Sequence, residues 1–263
     1  MTNTNDMNSV AAVGFQDAAE IYEQARPSYP HEVIEFLKSL CPTPTTIIDL
    51  GAGTGKLTRL LLTLDAQEII AIEPVASMRE KLKLIPLISR IIDGTAEHIP
   101  LEDNTIDMIL CAQSFHWFAN EQALTELHRV LRPNGLLVLI WNAFDYPKYK
   151  WSQEILELMD SYQPTDVPQY KSMQWKSAFE NQNLFSCLQY KQFVNRQRMN
   201  REILINRFLS VSFIAALPSK EKEQFIMKMN QIIDRAQDIR EQKEFDGPYY
   251  VDVYWSSVQK IAY

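Results

Sequence analysis

Short runs of Ile, Leu and Val alternate along the first half of the chain with stretches in which apolar residues recur every three or four positions. The runs are typical of strands buried on both faces, and the wider spacing is typical of amphipathic helices. The runs predict five strands, at 45–50, 68–74, 89–92, 105–112 and 136–141. The spacing predicts four helices, at 31–40, 55–64, 75–84 and 121–131. Because strands and helices alternate, we expect an α/β fold with a doubly wound parallel sheet.

The pattern changes after residue 142, where the sequence becomes helical and rich in aromatic residues. We expect segments 143–183 and 196–218 to cap a substrate pocket at the carboxyl edge of the sheet, although a dimer surface has the same composition. The remaining predicted elements are a strand at 185–195, helices at 200–209 and 219–243, and a last strand at 249–255. The last strand alternates apolar and polar residues, which favours an edge position.

The composition narrows the class of protein. The 263 residues carry a formal net charge of -7 and a pI near 5.2, which argues against a broad surface for nucleic acid. The chain has no run of about 18 apolar residues, and its polar start does not resemble a signal peptide. Its 3 cysteines are scattered, as in a reducing compartment. We expect a cytoplasmic protein with no membrane or nucleic-acid partner, in which a flexible tail at 1–14 precedes a single domain at 15–263.

A glycine-rich loop follows the first predicted strand, with the sequence Asp49-Leu-Gly51-Ala-Gly53-Thr-Gly55. Such a loop lets the backbone turn sharply and lets a ligand approach it closely. A P-loop needs a wider glycine spacing, and a dinucleotide fingerprint places its third glycine one residue later. Glu73 ends the second strand about twenty residues beyond the loop, where Rossmann-like sites bind two ribose hydroxyls. The alternatives are that the glycines form a turn without a ligand and that Glu73 is a solvated carboxylate at the end of its strand.

The segment Asp-Leu-Gly-x-Gly-x-Gly resembles motif I of the class I S-adenosylmethionine (SAM)-dependent methyltransferases, and Leu131-Arg-Pro-Asn-Gly135 resembles another hallmark of that family. Tyr22-x-x-x-Arg26-Pro-x-Tyr-Pro and Phe115-His-Trp-Phe118 resemble one branch, the methyltransferase type 11 or trans-aconitate methyltransferase-like enzymes. That branch methylates small carboxylic acids and related metabolites. The resemblance implies a Rossmann-like, seven-stranded sheet whose final antiparallel strand lies beside the fifth. It also implies SAM as the cofactor and S-adenosylhomocysteine (SAH) as the product.

The resemblance also implies where the cofactor binds. In this family the acidic residue and the glycine loop hold the methionine part, and the residues after the third strand contact adenine through backbone amides. An N-terminal arm folds over the cofactor, which implies that Tyr22 and Arg26 lie near its sulfonium and carboxylate. Met78 is placed to pack on adenine, although a core methionine fits the pattern nearly as well. The expected cofactor-binding residues are Tyr22, Arg26, Asp49, Gly51, Ala52, Gly53, Gly55, Glu73, Pro74, Met78, Thr95, Ala96, Glu97 and Gln113.

His116 is the candidate catalytic residue, because it is the histidine that follows a predicted strand end. A hydroxyl or amine acceptor would need a general base, whereas a carboxylate is already ionised at neutral pH. Aromatic residues and an arginine are expected to bind the substrate, with a core cluster and surface charge as the alternatives. The expected substrate-binding residues are Phe115, Trp117, Phe118, Trp141, Tyr146 and Arg207. The spacing of His, Cys, Asp and Glu suggests no metal ligand set.

The expected function is SAM-dependent methylation of a small molecule on a carboxylate or hydroxyl oxygen, in a pocket between the 113–118 loop and the insertion. One alternative is a non-catalytic regulator that binds SAM or SAH. Another is a methyltransferase that acts on protein or RNA, although the acidic pI disfavours RNA and the capping segments disfavour both macromolecules. Both a monomer and a homodimer fit the sequence.

Overall fold

The computed structural model describes residues 25–164 and 168–259. The described residues form two compact units. The sheet unit comprises residues 29–142, 168–194 and 251–259, and the helical unit comprises residues 25–28, 143–164 and 195–250. The tail predicted at 1–14 lies outside the described residues.

Seven strands of the described chain form one sheet. They are β1 (Thr46–Leu50), β2 (Glu68–Ile72), β3 (Arg90–Ile92), β4 (Ile106–Ala112), β5 (Leu131–Phe144), β6 (Gln189–Met199) and β7 (Phe245–Ser257). Their order across the sheet is β3-β2-β1-β4-β5-β7-β6. The first five strands pair in parallel with their neighbours. The predicted doubly wound parallel arrangement is therefore confirmed.

Most helices of the described chain lie where the apolar spacing predicts them. They are α1 (His31–Leu40), α2 (Lys56–Leu61), α3 (Ala76–Leu82), α4 (Glu121–Val130), α5 (Lys150–Asp160), α6 (Arg201–Leu209), α7 (Ser212–Ala215) and α8 (Ser219–Arg235). Short 3-10 helices cover Phe115–Trp117, Tyr146–Lys148, Tyr170–Ser172 and Gln174–Phe179. Asn120 caps α4, because its side-chain oxygen accepts a hydrogen bond from the Ala123 amide at 2.8 Å.

The core of the sheet unit explains the continuous apolar runs. All residues of β1 are buried. Ile48 and Leu50 pack in one hydrophobic cluster with α4, whereas Ile47 packs in another with α1 and α2. This division follows from the strand geometry, since successive side chains point to opposite faces. A strand covered by helices on both faces has no solvent-facing positions that polar residues would occupy.

The strand order reverses between β1 and β4. The chain builds β2 and β3 on one side of β1, and then places β4 and β5 on the other side. The loops that leave β1 and β4 therefore diverge at the carboxyl edge of the sheet. In open α/β sheets this divergence forms the crevice in which ligands bind.

The edge position predicted for the last strand is wrong. β7 lies between β5 and β6, and β6 occupies the edge. The polar residue Asp252 in the middle of β7 faces partners instead of solvent. Asp252 is only 4 % exposed, and its carboxylate accepts hydrogen bonds from the hydroxyls of Tyr170 and Tyr190. Alternation of apolar and polar residues therefore arises here from a buried hydrogen-bonded acid.

The limits of three predicted elements also differ from those observed. β5 already begins at Leu131, because the turn at 132–135 is accommodated inside the strand, between the pairs Ile106–Leu131 and Met108–Leu136. The 185–195 strand is shifted to Gln189–Met199. The 219–243 helix ends at Arg235, since Ala236 leaves the helical conformation. Ile239 is nevertheless buried, so the apolar spacing continues past the end of the helix.

Candidate active site

The glycine loop connects β1 to α2 with left-handed backbone conformations. Gly51, Gly53 and Gly55 have φ angles of 69, 58 and 85°. The amide of Gly51 donates to the carbonyl of Ile72 at 2.8 Å, so the loop leaves β1 still attached to β2. A Cβ atom on Gly51 would lie 2.6 Å from the Cβ of Ser114. Glycine is therefore needed at position 51 both for its backbone angle and for the close approach of the turn after β4.

Glu73 lies beside this loop at the end of β2. Its carboxylate accepts hydrogen bonds from the amides of Gly53 at 2.8 Å and Val75 at 2.9 Å, and its exposed fraction is 6 %. Burial raises the pKa of Glu73, and the two amides oppose that shift. A carboxylate offers about four lone-pair positions, so two amide donors leave room for further donors. The backbone thus orients an acceptor before any ligand arrives.

Asp49 is completely buried in β1. One carboxylate oxygen, Oδ2, accepts from the hydroxyl of Thr58 at 2.6 Å. The other oxygen, Oδ1, is buried and has no hydrogen-bond partner among the described residues. Burial raises the pKa of Asp49 to about 7, the Thr58 hydroxyl opposes the shift, and the charge of Glu73 adds to it. A buried acceptor without a donor is costly, and it marks a position that a ligand donor can satisfy.

The other predicted cofactor residues of the sheet unit have varied surroundings. Ala52, Met78 and Ala96 are buried, whereas Pro74 and Thr95 are exposed. Glu97 accepts a hydrogen bond from the Asn120 side chain at 3.2 Å. Gln113 has a φ angle of 59°, and its side chain donates to the Asn142 carbonyl at 3.0 Å. The roles of these residues toward a cofactor stay predictions, and Tyr22 lies outside the described residues.

His116 lies in the 3-10 helix that follows β4. Its Nδ1 atom accepts a hydrogen bond from the indole N–H of Trp141 at 3.2 Å. Burial lowers the pKa of His116 to about 4, so the imidazole is neutral at physiological pH. With Nδ1 used as an acceptor, the neutral ring carries its proton on Nε2. The open nitrogen of His116 is therefore a hydrogen-bond donor.

Trp141 and Phe115 are fully buried in the core of the sheet unit. Tyr170 stacks on Trp141 with ring centroids 4.5 Å apart, and Trp175 lies 4.6 Å from the same ring. Trp117 and Phe118 keep part of their surface exposed. The burial favours a packing role for Trp141 and Phe115, in which they fix the position of His116. The excess of aromatic residues after position 142 was the sequence signal for the stacking partners.

The helical unit contains a separate polar cluster. Arg207 is 7 % exposed, and its Nε atom donates to the Tyr249 hydroxyl at 3.1 Å. Arg26 donates to the side chain of Ser210 at 2.9 Å and to its carbonyl at 3.1 Å. The charges of both arginines lower the pKa values of Tyr146 and Tyr249, although burial dominates and raises them, that of Tyr146 to about 12. The structure thus brings Arg26, which was predicted to bind the cofactor, close to Arg207 and Tyr146, which were predicted to bind the substrate.

Sequence reasoning missed Tyr249 and Ser210. The sequence indicates only that Tyr249 is an apolar residue of a strand and that Ser210 lies in a connection between helices. Their functional interest comes from contacts between residues 42 and 184 positions apart in the chain. No local pattern carries such information.

The described residues contain no group of three or more His, Cys, Asp or Glu side chains arranged to hold a metal ion. They also contain no helix that is both long enough and apolar enough to cross a membrane.

Comparison with known proteins identifies the class to which this fold and site belong. Residues 48–139 match the profile of a methyltransferase domain. An uncharacterized methyltransferase-like protein of Schizosaccharomyces pombe is 37% identical over 214 residues, which cover 80% of this chain and 82% of that protein. The malonyl-[acyl-carrier protein] O-methyltransferase of Methylococcus capsulatus is 31% identical over 132 residues, or 48% of this chain and 46% of that protein.

A solved structure supports the same fold. The YcgJ protein of Bacillus subtilis superposes with a TM-score of 0.57 at 19% identity, covering 88% of this chain and 100% of that chain. The sheet, its strand order and its glycine loop are those of the Rossmann-like class I SAM-dependent methyltransferases. The chain belongs to this methyltransferase family and is a SAM-dependent methyltransferase. Membership of the trans-aconitate branch stays a prediction.

Proposed function

We propose that this methyltransferase transfers a methyl group from SAM to a carboxylate oxygen of a small molecule. The observation that carries the choice of acceptor is the hydrogen bond from Trp141 to Nδ1 of His116. It occupies the basic nitrogen of the histidine that the sequence offers as a general base. An acceptor that must lose a proton would lack that base, whereas a carboxylate is already ionised at neutral pH.

The residues around the glycine loop fit the cofactor. When bound, SAM supplies a methyl group on a sulfonium, which is activated for in-line displacement. We assign the ribose hydroxyls to Glu73, since its amide-oriented carboxylate retains acceptor positions. We assign the amino group of the methionine part to Asp49, whose buried Oδ1 lacks a donor among the described residues. Gly51 and Gly53 allow the close backbone approach that such a ligand needs.

His116 then acts as a donor. Its Nε2–H group is suited to hold one oxygen of a carboxylate, which aligns the acceptor and leaves the other oxygen for attack. Alignment and removal of water supply most of the rate in a displacement whose leaving group is already activated. Trp141 has a positioning role, because it fixes the tautomer and the orientation of His116.

One further fact supports an oxygen acceptor, and another disfavours RNA as the acceptor. The Methylococcus capsulatus relative, which is 31% identical over 132 residues, is an O-methyltransferase. Methylation of oxygen therefore occurs in a protein similar to part of this chain. The formal net charge of -7 disfavours a polyanionic acceptor such as RNA.

The proposal is tested with the purified full chain, methyl-labelled SAM and a metabolite extract, followed by mild base. A methyl ester releases its label in base, and we expect that result. Label that survives base would eliminate the carboxylate, and label on protein or RNA would eliminate the small molecule. At saturating SAM the rate should stay constant between about pH 6 and 8, because neither His116 nor a carboxylate acceptor titrates there and the bound ammonium group keeps Asp49 ionised. His116→Phe should lower the rate by one to two orders of magnitude, whereas His116→Gln, which retains a donor, and the exposed control His98→Gln should lower it less.

A further inference from the structure

The helical unit buries a cation for which the described residues provide no counter-ion. Arg207 is 7 % exposed, and it forms no ion pair with a carboxylate of the described chain. Two other arginines of the same unit do have counter-ions, since Arg201 pairs with Asp234 at 2.5 Å and Arg235 pairs with Glu154 at 2.9 Å. A buried charge without a partner costs several kcal/mol, so such a residue is rarely present for stability alone.

The donors of Arg207 are only partly used. Its Nε donates to the hydroxyl of Tyr249 at 3.1 Å. Its Cζ atom lies 5.3 Å from the centre of the Phe208 ring. Its Nη1 atom is buried and has no hydrogen-bond partner among the described residues. An unsatisfied guanidinium nitrogen in the interior is the donor that an anionic oxygen would accept from.

The surroundings of Arg207 are positive or neutral. Arg26 is held by Ser210, and Ser210 in turn donates to the backbone carbonyl of Arg207 at 2.7 Å. The buried hydroxyls of Tyr146 and Tyr249 stay protonated, because burial outweighs the two arginine charges. Asp160 is the acidic side chain that acts on this group, and it is exposed and acts weakly on Tyr146. Among the described residues, Arg207 therefore keeps a buried charge and unused donors without an acidic partner.

We propose that the helical unit binds a small carboxylate at Arg207, whose free Nη1–H donates to a carboxylate oxygen. A carboxylate fits better than a phosphate, because the single buried charge of Arg207 compensates one negative charge but not two. The site is defined by residues of the helical unit alone. It does not rest on the acceptor proposed above, and it is open to any ligand that presents a carboxylate of small size.

The first test uses thermal unfolding of the full chain in the absence of SAM. Sodium acetate and sodium succinate are titrated at constant ionic strength, with sodium chloride and neutral succinamide as matched additives. We expect the carboxylates to raise the unfolding temperature in a saturable way, because they bind the folded state only. Chloride and succinamide should leave it unchanged. A rise with chloride or inorganic phosphate, and not with either carboxylate, would overturn the assignment, as would the absence of any response.

The second test locates the effect. Arg207→Met should abolish the response to succinate, whereas Arg235→Met, which removes an equal charge from an exposed ion pair of the same unit, should retain it. Without ligand, Arg207→Met should unfold at a higher temperature than the wild type, because an unpaired buried cation is replaced by an apolar side chain. If this variant does not fold, Arg207→Lys should weaken succinate binding about tenfold, since lysine lacks the planar fork. An unchanged response in either folded Arg207 variant would refute the site. Because neither test involves methyl transfer, their failure is distinguishable from failure of the proposed reaction.

Discussion

The sheet unit and the helical unit both bury charged side chains that retain open hydrogen-bonding positions, but they do so with opposite charges. In the sheet unit, Glu73 is oriented by two backbone amides, and Asp49 leaves one oxygen without a donor. In the helical unit, Arg207 leaves one nitrogen without an acceptor. The anionic site is built largely by the backbone of a short loop, whereas the cationic site is built by side chains distant in sequence. A loop fixes its geometry locally, and a side-chain cluster depends on the whole unit.

The largest effect is expected where the backbone itself builds the site. Gly51→Ala forces a Cβ into a position 2.6 Å from the Cβ of Ser114 and requires a left-handed alanine. We expect a loss of about 3 kcal/mol in the free energy of unfolding, measured by urea titration. Gly53→Ala is the matched control, because its φ angle is also positive but nothing lies within 4 Å of the added atom. It should lose only about 1 kcal/mol, and equal losses would show that the close approach is unimportant.

Removal of the oriented acceptor should affect the cofactor more than the fold. Glu73→Ala should weaken SAM binding by roughly 1.5–3 kcal/mol, because the charge-assisted bonds to the ribose are lost. Isothermal calorimetry measures the change, with the exposed Glu102→Ala as a control that should bind normally. Normal SAM binding by Glu73→Ala would remove Glu73 from the site.

The buried charge of Asp49 should appear as a pH dependence of stability. Burial raises its pKa to about 7, so between about pH 4 and 7 the folded chain retains a proton that the unfolded chain has lost. The free energy of unfolding of the ligand-free wild type should therefore fall as the pH rises through this range, by on the order of 2 kcal/mol between pH 5 and 8 relative to Asp49→Asn. Denaturant titrations of both proteins at the two pH values provide the comparison. A difference that is independent of pH would mean that Asp49 does not titrate in this range.

The smallest effect is expected in the helical unit. Tyr249→Phe removes the acceptor for Nε of Arg207 and should lower the free energy of unfolding by about 1 kcal/mol. Saturating acetate should stabilise both proteins and leave the difference between them unchanged, because the proposed carboxylate is bound by Nη1. Chemical denaturation of both proteins with and without acetate measures this difference. Disappearance of the difference in acetate would place the carboxylate at Nε, in the position of the missing hydroxyl.

The sequence predicted those parts of the molecule that depend on neighbouring residues. The β1 strand and the glycine turn each follow from a few adjacent side chains and their intrinsic preferences. The prediction that β7 lies at the edge of the sheet was wrong, because Asp252 accepts hydrogen bonds from donors on segments distant in the chain. The predicted end of α8 was wrong, because the buried residue Ile239 continues the apolar spacing beyond the helix.

The site divides in the same way. The spacing of the glycine loop and Glu73 predicted that they belong to one cofactor site, and the structure brings the Glu73 carboxylate to the Gly53 amide. The tautomer of His116 could not be predicted, because it depends on the indole of Trp141 from a different strand. The partners of Arg207 could not be predicted either, since Tyr249 lies 42 residues away.

The hydrogen bond between Trp141 and His116 also has an optical consequence. An imidazolium quenches the fluorescence of a neighbouring indole, whereas a neutral imidazole does so weakly. The rings of Trp117 and Trp141 lie 5.1 and 6.5 Å from that of His116, so the emission of both should report its state. Acidification toward pH 4 should dim this emission as the ring gains its second proton. A ligand that engages Nε2 should shift the same signal at neutral pH, so ordinary tryptophan emission in a stopped-flow instrument can time its arrival without any added dye.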